Sequence, residues 1–431
     1  MKRTSQAGID AISVYLPRTC LRLDELAERN GVAREKYIEG LGCRSMAVPA
    51  PGEDAVTMAW EAASSLLRDY EVDSESIGML VVGTESGVDH AKPVAAYLHG
   101  MLGLSPECRI FDVKHACYGA TAALRVAVDW CSSQARDNVK ALVVATDIAR
   151  YPVGSPGEPT QGAGAVAMLV GCNARCAVLE PFEAAVHASS VMDFWRPDYS
   201  SCAIVDGKYS VECYMKALER TWRRYKKTSG LELDDYDYLL FHAPFPKMVR
   251  KAFYRIWGME KATAGEGDPA VTARAFERYC GPATWACCRT GNLYTGSLYL
   301  ELASLLASER QRACGRRVGI FSYGSGSCSE FFSARIGPDA AWWENRTGVS
   351  RALELQREID YPTYLEYRKT AEHMNTNGSY RAELTATGTH RQAVFLGIRD
   401  HKRIYSIRKQ PSVRRQECSS HHGPAHIRQA L

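Results

Sequence analysis

SIGMLVVGTES, residues 76–86, is the stretch on which the fold turns. Its centre, MLVV at 79–82, is a continuous apolar run with β-branched side chains, flanked by glycines. Such a run suits a strand buried on both faces between helical layers. The strand ends in a small, polar turn that carries one ionisable residue, Glu85. DYDYLLFHAPF, residues 235–245, repeats the pattern with His242 in the corresponding place. GAGAVAMLVG (162–171) and GSGSCSEFFS (324–333) make a second pair, each setting glycines before an apolar strand. The two halves therefore read as degenerate copies of one unit, the first ending near Gly171 and the second near Gly337. A duplicated fold brings the ends of equivalent strands together, so Glu85 and His242 are expected to face one pocket. Short apolar runs also resemble one another by chance, and the echo alone leaves that alternative open.

Other strand-like runs lie at 109–113, 141–145, 166–170 and 318–321, while 55–67 and 121–131 are rich in Ala and Leu, as helices are. Their alternation predicts a layered α/β architecture. A chain of 431 residues is long enough for two domain-sized cores or one large duplicated fold. The expected division is a first half over 1–171, a second over 172–405, and a tail over 406–431 whose composition favours mobility. Apolar residues make up 46% and charged residues 24%, as in ordinary globular enzymes. A net charge of +4 gives no electrostatic case for nucleic acid or a membrane surface. MKRTSQAGIDAISVYLP has basic residues but no apolar h-region, and no apolar run nears the roughly 20 residues that span a bilayer. A cytoplasmic protein is expected.

Fifteen cysteines are irregularly spaced, with no Cys-x-x-Cys, and in a reducing compartment most should be small buried hydrophobes. One has a special setting. In DVKHACYGATAAL (112–124), Cys117 follows a strand-like segment and precedes a plausible helix opening. The positive end of a helix dipole favours a thiolate there, and Lys114 and His115 are placed to add positive potential. A core cysteine at a tight strand–helix junction fits the same residues, which leave both readings open.

GTESGVDHAK, KHACYGATAAL, EPTQGAGAVAML, DFWRP with VDGKYS, FHAPFPKM, GNLYTGSLYLELASLL and FSYGSGS occur in that order, within a resembling stretch that runs from the N-terminal strand to about Tyr405. In these motifs the chain resembles the 3-hydroxy-3-methylglutaryl-CoA synthases of the thiolase-like superfamily. The resemblance implies a duplicated thiolase-like fold, layered α-β-α-β-α with mixed central sheets. It makes Cys117 the residue acylated by acetyl-CoA, Glu85 the general base and His242 the residue that handles the acceptor. The chemistry needs these types. The methyl group of an acetyl thioester is weakly acidic, so a carboxylate must reach it in a site that stabilises the enolate. The enolate then attacks the ketone of acetoacetyl-CoA, and water releases the product from Cys117.

The resemblance further makes Asn292 a hydrogen-bond donor to the acceptor thioester, places Ser325 near the oxyanion site and has Tyr151 line the pocket. Each also has a plain structural reading, glycine-rich turns for Asn292 and Ser325 among them. Lys247 and Lys251, one turn apart after His242, suit CoA phosphates, whereas Arg250 fits a solvated helix face better. No metal-ligand spacing is visible, His421 and His422 included, and no cofactor is implied beyond the CoA thioesters. The superfamily implies a homodimer. The rivals are a β-branching synthase that takes intermediates from an acyl carrier protein, a ketoacyl synthase and an inactive scaffold. β-Branching relatives tend to lack the Trp of DFWRP and the LYTGS after Gly-Asn, both present here, which favours free CoA thioesters.

Overall fold

The computed structural model describes residues 7–134, 138–261, 268–338, 346–373, 379–382 and 393–407. Ten strands that position the site form one mixed sheet: β1 (Gly8–Tyr15), β2 (Ile77–Gly83), β3 (Arg109–Val113), β4 (Lys140–Ile148), β5 (Ala163–Gly171), β6 (Ala177–Leu179), β7 (Ala185–Ala188), β8 (Tyr238–Phe241), β9 (Arg317–Gly324) and β10 (Cys328–Ile336). Their spatial order is β8-β9-β10-β6-β1-β5-β4-β2-β3, with β7 also on β10.

The pairing repeats. In the first half β2 lies parallel to β4, β4 antiparallel to β5, and β5 antiparallel to β1. In the second, β8 lies parallel to β9, β9 antiparallel to β10, and β10 antiparallel to β6. Both pairs of echoing segments thus occupy equivalent places, β2 with β8 and β5 with β10. The halves join where β1 pairs with β6, Gly8 opposite Val178. The first half alone carries an outer strand, β3, parallel to β2, and this strand leads to Cys117.

Strands β2, β4, β5 and β9 run past the apolar runs that predict them. β4 continues through Thr146 and Asp147 to Ile148, because both polar side chains are buried and hydrogen-bonded. Helix α1 (Ala55–Asp69) opens on a capping box in which Asp54 accepts from the Thr57 amide. Helix α2 (Gly119–Ser133) packs on β2, β4 and β5. Helices α3 (Gly207–Ser229) and α4 (Pro246–Lys261) flank the second half. Helix α5 (Ser297–Glu309) is buried on every side from Ser297 to Ala307 and touches both β8 and β1. Thr121 on α2 hydrogen-bonds Tyr299 on α5 and Ser322 on β9, each at 2.8 Å, tying the halves at their centre. Further along the chain, α6 (Tyr361–His373) packs onto the first half, where Arg368 donates to the Tyr151 carbonyl. Ser406 and Ile407 belong to a strand, Lys402–Ile407, paired to Val394 and Ala393, while 408–431, with His421 and His422, lie outside the described residues.

Candidate active site

Glu85 lies two residues past the end of β2 and is buried. Its backbone N–H donates to Asp147 Oδ1 at 2.9 Å, and Thr84 donates its hydroxyl to the same oxygen at 3.1 Å. The other Asp147 oxygen accepts from the amide (3.1 Å) and hydroxyl of Thr295, on the turn that opens α5. Asp147 therefore fastens the end of β2 to the second half. Burial, and then the Asp147 carboxylate, push the Glu85 carboxyl up to about 8, against the pull of Arg196 and the Cys117 thiol. Sequence reading missed Asp147 because its run of strand residues stops at Ala145. An acidic residue ending an apolar strand was the available signal.

Cys117 lies in the turn between β3 and α2, after Ala116, whose φ of 36° is in the left-handed region. Its thiol donates to Glu85 Oε1 at 3.6 Å. Two close approaches hold this turn. A Cβ on Gly83 would lie 2.5 Å from the Ala120 Cα, and one on Gly324 would lie 2.6 Å from the Tyr118 nitrogen. Only glycines let β2 and β9 close on the start of α2 from either side. The expected thiolate is not what the environment favours. Burial, Glu85, Asp147 and Asp193 hold the thiol well above its usual range. Lys114 is exposed, and His115 is half-buried with its ring edge-on to Tyr118 and its own pKa lowered by burial. Neither offsets the surrounding carboxylates, so the resting group is a thiol.

His242 is the first residue after β8, one place nearer its strand than Glu85 is to β2. Its N–H donates to the Phe321 carbonyl on β9 at 2.9 Å. Burial alone lowers the imidazole to about 3, so the ring is neutral at working pH. Among the described residues no hydrogen bond joins it to Glu85 or Cys117. Its β9 partner, Phe321, precedes by three residues the Gly324 that closes on the cysteine turn. Ser325 is half-buried at the tip between β9 and β10. That tip is anchored by Asp193, which accepts from the Gly326 amide (2.9 Å) and the Tyr323 hydroxyl (2.8 Å).

Asn292 is buried, and its Oδ1 accepts from the Tyr294 amide (2.8 Å) and the Ser297 hydroxyl (2.9 Å), which leaves its NH2 group free to donate. Tyr151 is buried. Its N–H donates to Gln161 Oε1 at 2.8 Å, and its carbonyl accepts from Arg368 at 2.9 Å. Phe194 stacks edge-on against both Tyr151 and Tyr294. Burial pushes both phenols up, and the charges of Glu85 and Cys117 add to it. Tyr294, Phe194, Asp193 and Arg196 are further site residues that sequence reading did not single out, although their motifs were quoted.

Lys247 and Lys251 share a face of α4 at i and i+4. Among the described residues the Lys247 ammonium reaches the Glu39 carbonyl, at 3.4 Å, and Lys251 is exposed. Arg250 is engaged elsewhere, 5.2 Å over the Phe276 ring and 4.0 Å from Glu277.

A duplicated α/β unit that sets a cysteine, a glutamate and a histidine at strand ends defines a thiolase-like, carbon–carbon bond-forming acyltransferase. Sequence comparison narrows the class. The family descriptions "Hydroxymethylglutaryl-coenzyme A synthase N terminal" and "C terminal" match residues 3–175, and 177–263 with 259–390. A hydroxymethylglutaryl-CoA synthase from Enterococcus faecalis is 41% identical over 329 residues, 76% of this chain and 82% of that protein. The structure of MvaS in complex with 3-hydroxy-3-methylglutaryl coenzyme A superposes with a TM-score of 0.85 at 37% identity, covering 93% of this chain and 99% of that one. The curacin-pathway HMG synthase bound to its holo donor-ACP gives 0.87 at 30% identity, over 93% and 99% of the two chains. This chain belongs to the hydroxymethylglutaryl-CoA synthase family.

Proposed function

We propose that the protein condenses acetyl-CoA with acetoacetyl-CoA through an acetyl-Cys117 intermediate, releasing HMG-CoA and free CoA. The Cys117–Glu85 hydrogen bond at 3.6 Å carries this reading, because it sets a nucleophile and a base at one point in a part-buried site. Cys117 attacks the acetyl carbonyl, and CoA leaves as the thiol. Glu85 takes a proton from the acetyl methyl group, and the enolate carbon attacks the acceptor ketone. His242, a neutral imidazole, meets the developing alkoxide as an N–H donor, as suits a ring that burial keeps uncharged. Asn292 donates to the acceptor thioester. Water then cleaves the Cys117 thioester, leaving the product carboxylate and the free thiol. Lys247 and Lys251 would hold CoA phosphates, Tyr151 would line the pocket, and Ser325 would sit by the oxyanion.

Two carriers compete, CoA and an acyl carrier protein, the second favoured by the close superposition on the donor-ACP complex. LYTGS favours free CoA. Each of its polar residues is built into this site: Tyr294 packs edge-on against Phe194, Thr295 holds Asp147, and Ser297 holds Asn292. We expect kcat/KM for acetyl-CoA to exceed that for an acetylated carrier protein, and Lys247→Ala to raise KM for CoA with little change in kcat. A carrier protein preferred by about tenfold or more, with Lys247→Ala silent toward CoA, would move the assignment to β-branching.

The reading includes a cytoplasmic homodimer. All fourteen described cysteines are free, as in a reducing compartment, and no helix among the described residues is long and apolar enough to cross a membrane. Met192, Tyr199, Ile204, Val205 and Tyr209 expose apolar surface on the segment that also supplies Asp193 and Phe194. Light scattering on a dilute sample should give twice the 47.7 kDa chain mass. A particle of the single-chain mass contradicts the dimer.

A further inference from the structure

Glu301 lies in the middle of α5 and is fully buried in a helix otherwise lined there by Leu298, Leu300, Leu302 and Leu305. Its Oε1 has no hydrogen-bond partner among the described residues, which is costly for a buried oxygen. Its Oε2 accepts from the backbone N–H of Phe241 at 2.9 Å. β8 is the edge strand of the sheet. In a parallel ladder alternate residues point their N–H at the neighbouring strand. The His242 N–H goes to Phe321, so the Phe241 N–H points off the edge, and Glu301 satisfies it.

His242 is anchored through its backbone. Glu301 takes the N–H before it, Phe321 takes its own N–H, and Tyr214 donates its hydroxyl to the His242 carbonyl at 2.9 Å. Among the described residues no hydrogen bond aims the imidazole itself. Resting on the acceptor role given to His242, we infer that Glu301 is a positioning residue, which fixes the end of β8 and through it the His242 ring. The same helix begins beside Asn292, so α5 holds both groups that meet the acceptor.

Burial keeps the Glu301 carboxyl well above the usual carboxylate range, so it accepts as a neutral acid that glutamine can mimic. The test separates the half-reactions: acetylation of Cys117 by labelled acetyl-CoA, and single-turnover condensation of the acetyl-enzyme with acetoacetyl-CoA. Glu301→Gln should keep both within about twofold. Glu301→Leu should keep acetylation but condense about tenfold to 100-fold more slowly, the scale of a misplaced reacting group. Should Glu301→Leu fail to fold, Tyr214→Phe, which removes the bond to the His242 carbonyl, decides by the same split. Condensation at the parent rate, or acetylation and condensation falling together, overturns the inference. His242→Ala runs alongside. If it condenses at the parent rate, the acceptor role itself fails. If it is slow while Glu301→Leu is not, only the positioning fails.

Discussion

Cys117→Ala should yield no acetyl-protein from labelled acetyl-CoA and should lower turnover by at least about 10⁴-fold, the scale of removing a covalent nucleophile. The carboxylates around Cys117 make this expectation informative. Burial first, and then these carboxylates, hold the thiol well above its usual range, so it does not stand out as an ionised cysteine at rest. Reactivity must come from position: the turn after Ala116 aims the sulfur at Glu85, and the glycine contacts from β2 and β9 fix that turn. Other described cysteines are also shifted upward by burial, Cys43, Cys176, Cys280 and Cys287 among them, but none of these has a carboxylate oxygen within hydrogen-bond reach. Acetylation should therefore map to one peptide. Stable acetyl label on another cysteine of the alanine variant would show that the sulfur at 117 is not the acceptor.

The sequence made the strand ends legible because a strand buried on both faces must be apolar, and an ionisable residue directly after it stands out. Glu85 and His242 were visible in this way, and their equivalence could be read from the two echoing segments. Buried polar groups inside elements were not visible. Asp147 extends β4 and Glu301 interrupts an apolar helix, and each is tolerated only because a partner distant in sequence meets it, Thr295 in one case and Phe241 in the other. Such pairings are tertiary facts with no local periodicity. The electrostatic sign at Cys117 failed for the same reason. Lys114 and His115 adjoin the sulfur in sequence, whereas Glu85, Asp147 and Asp193 converge on it from other segments. Neighbours along the chain are a poor guide to the field at a turn.

Glu85→Ala should still form acetyl-Cys117 and then fail to condense it, with the carbon–carbon step slowed at least roughly 10²-fold, the usual cost of a lost general base. Acetylation survives because Glu85, after burial, is the largest cause raising the Cys117 thiol, so its removal makes the thiol easier to ionise even as a hydrogen-bond acceptor is lost. The methyl proton has no such relief, since taking it needs a carboxylate within reach. In the unaltered enzyme burial and Asp147 push the same carboxyl up to about 8 against a hydrogen bond from the Cys117 thiol, and acetylation removes that bond, so condensation from the acetyl-enzyme should climb as pH rises toward and past that value. Stability runs the other way. The folded-state pKa of Glu85 is raised by burial and by Asp147, so its contribution is complete at acid pH and is lost as pH rises through about 8. Glu85→Gln should therefore melt higher than the parent at alkaline pH, with the gap closing as pH falls toward the ordinary glutamate range, while remaining defective in condensation. A single-turnover pH series on the acetyl-enzyme, paired with melting curves, checks both halves. Parent-like condensation in Glu85→Ala, or a profile flat across pH 6 to about 9, would remove Glu85 as the base.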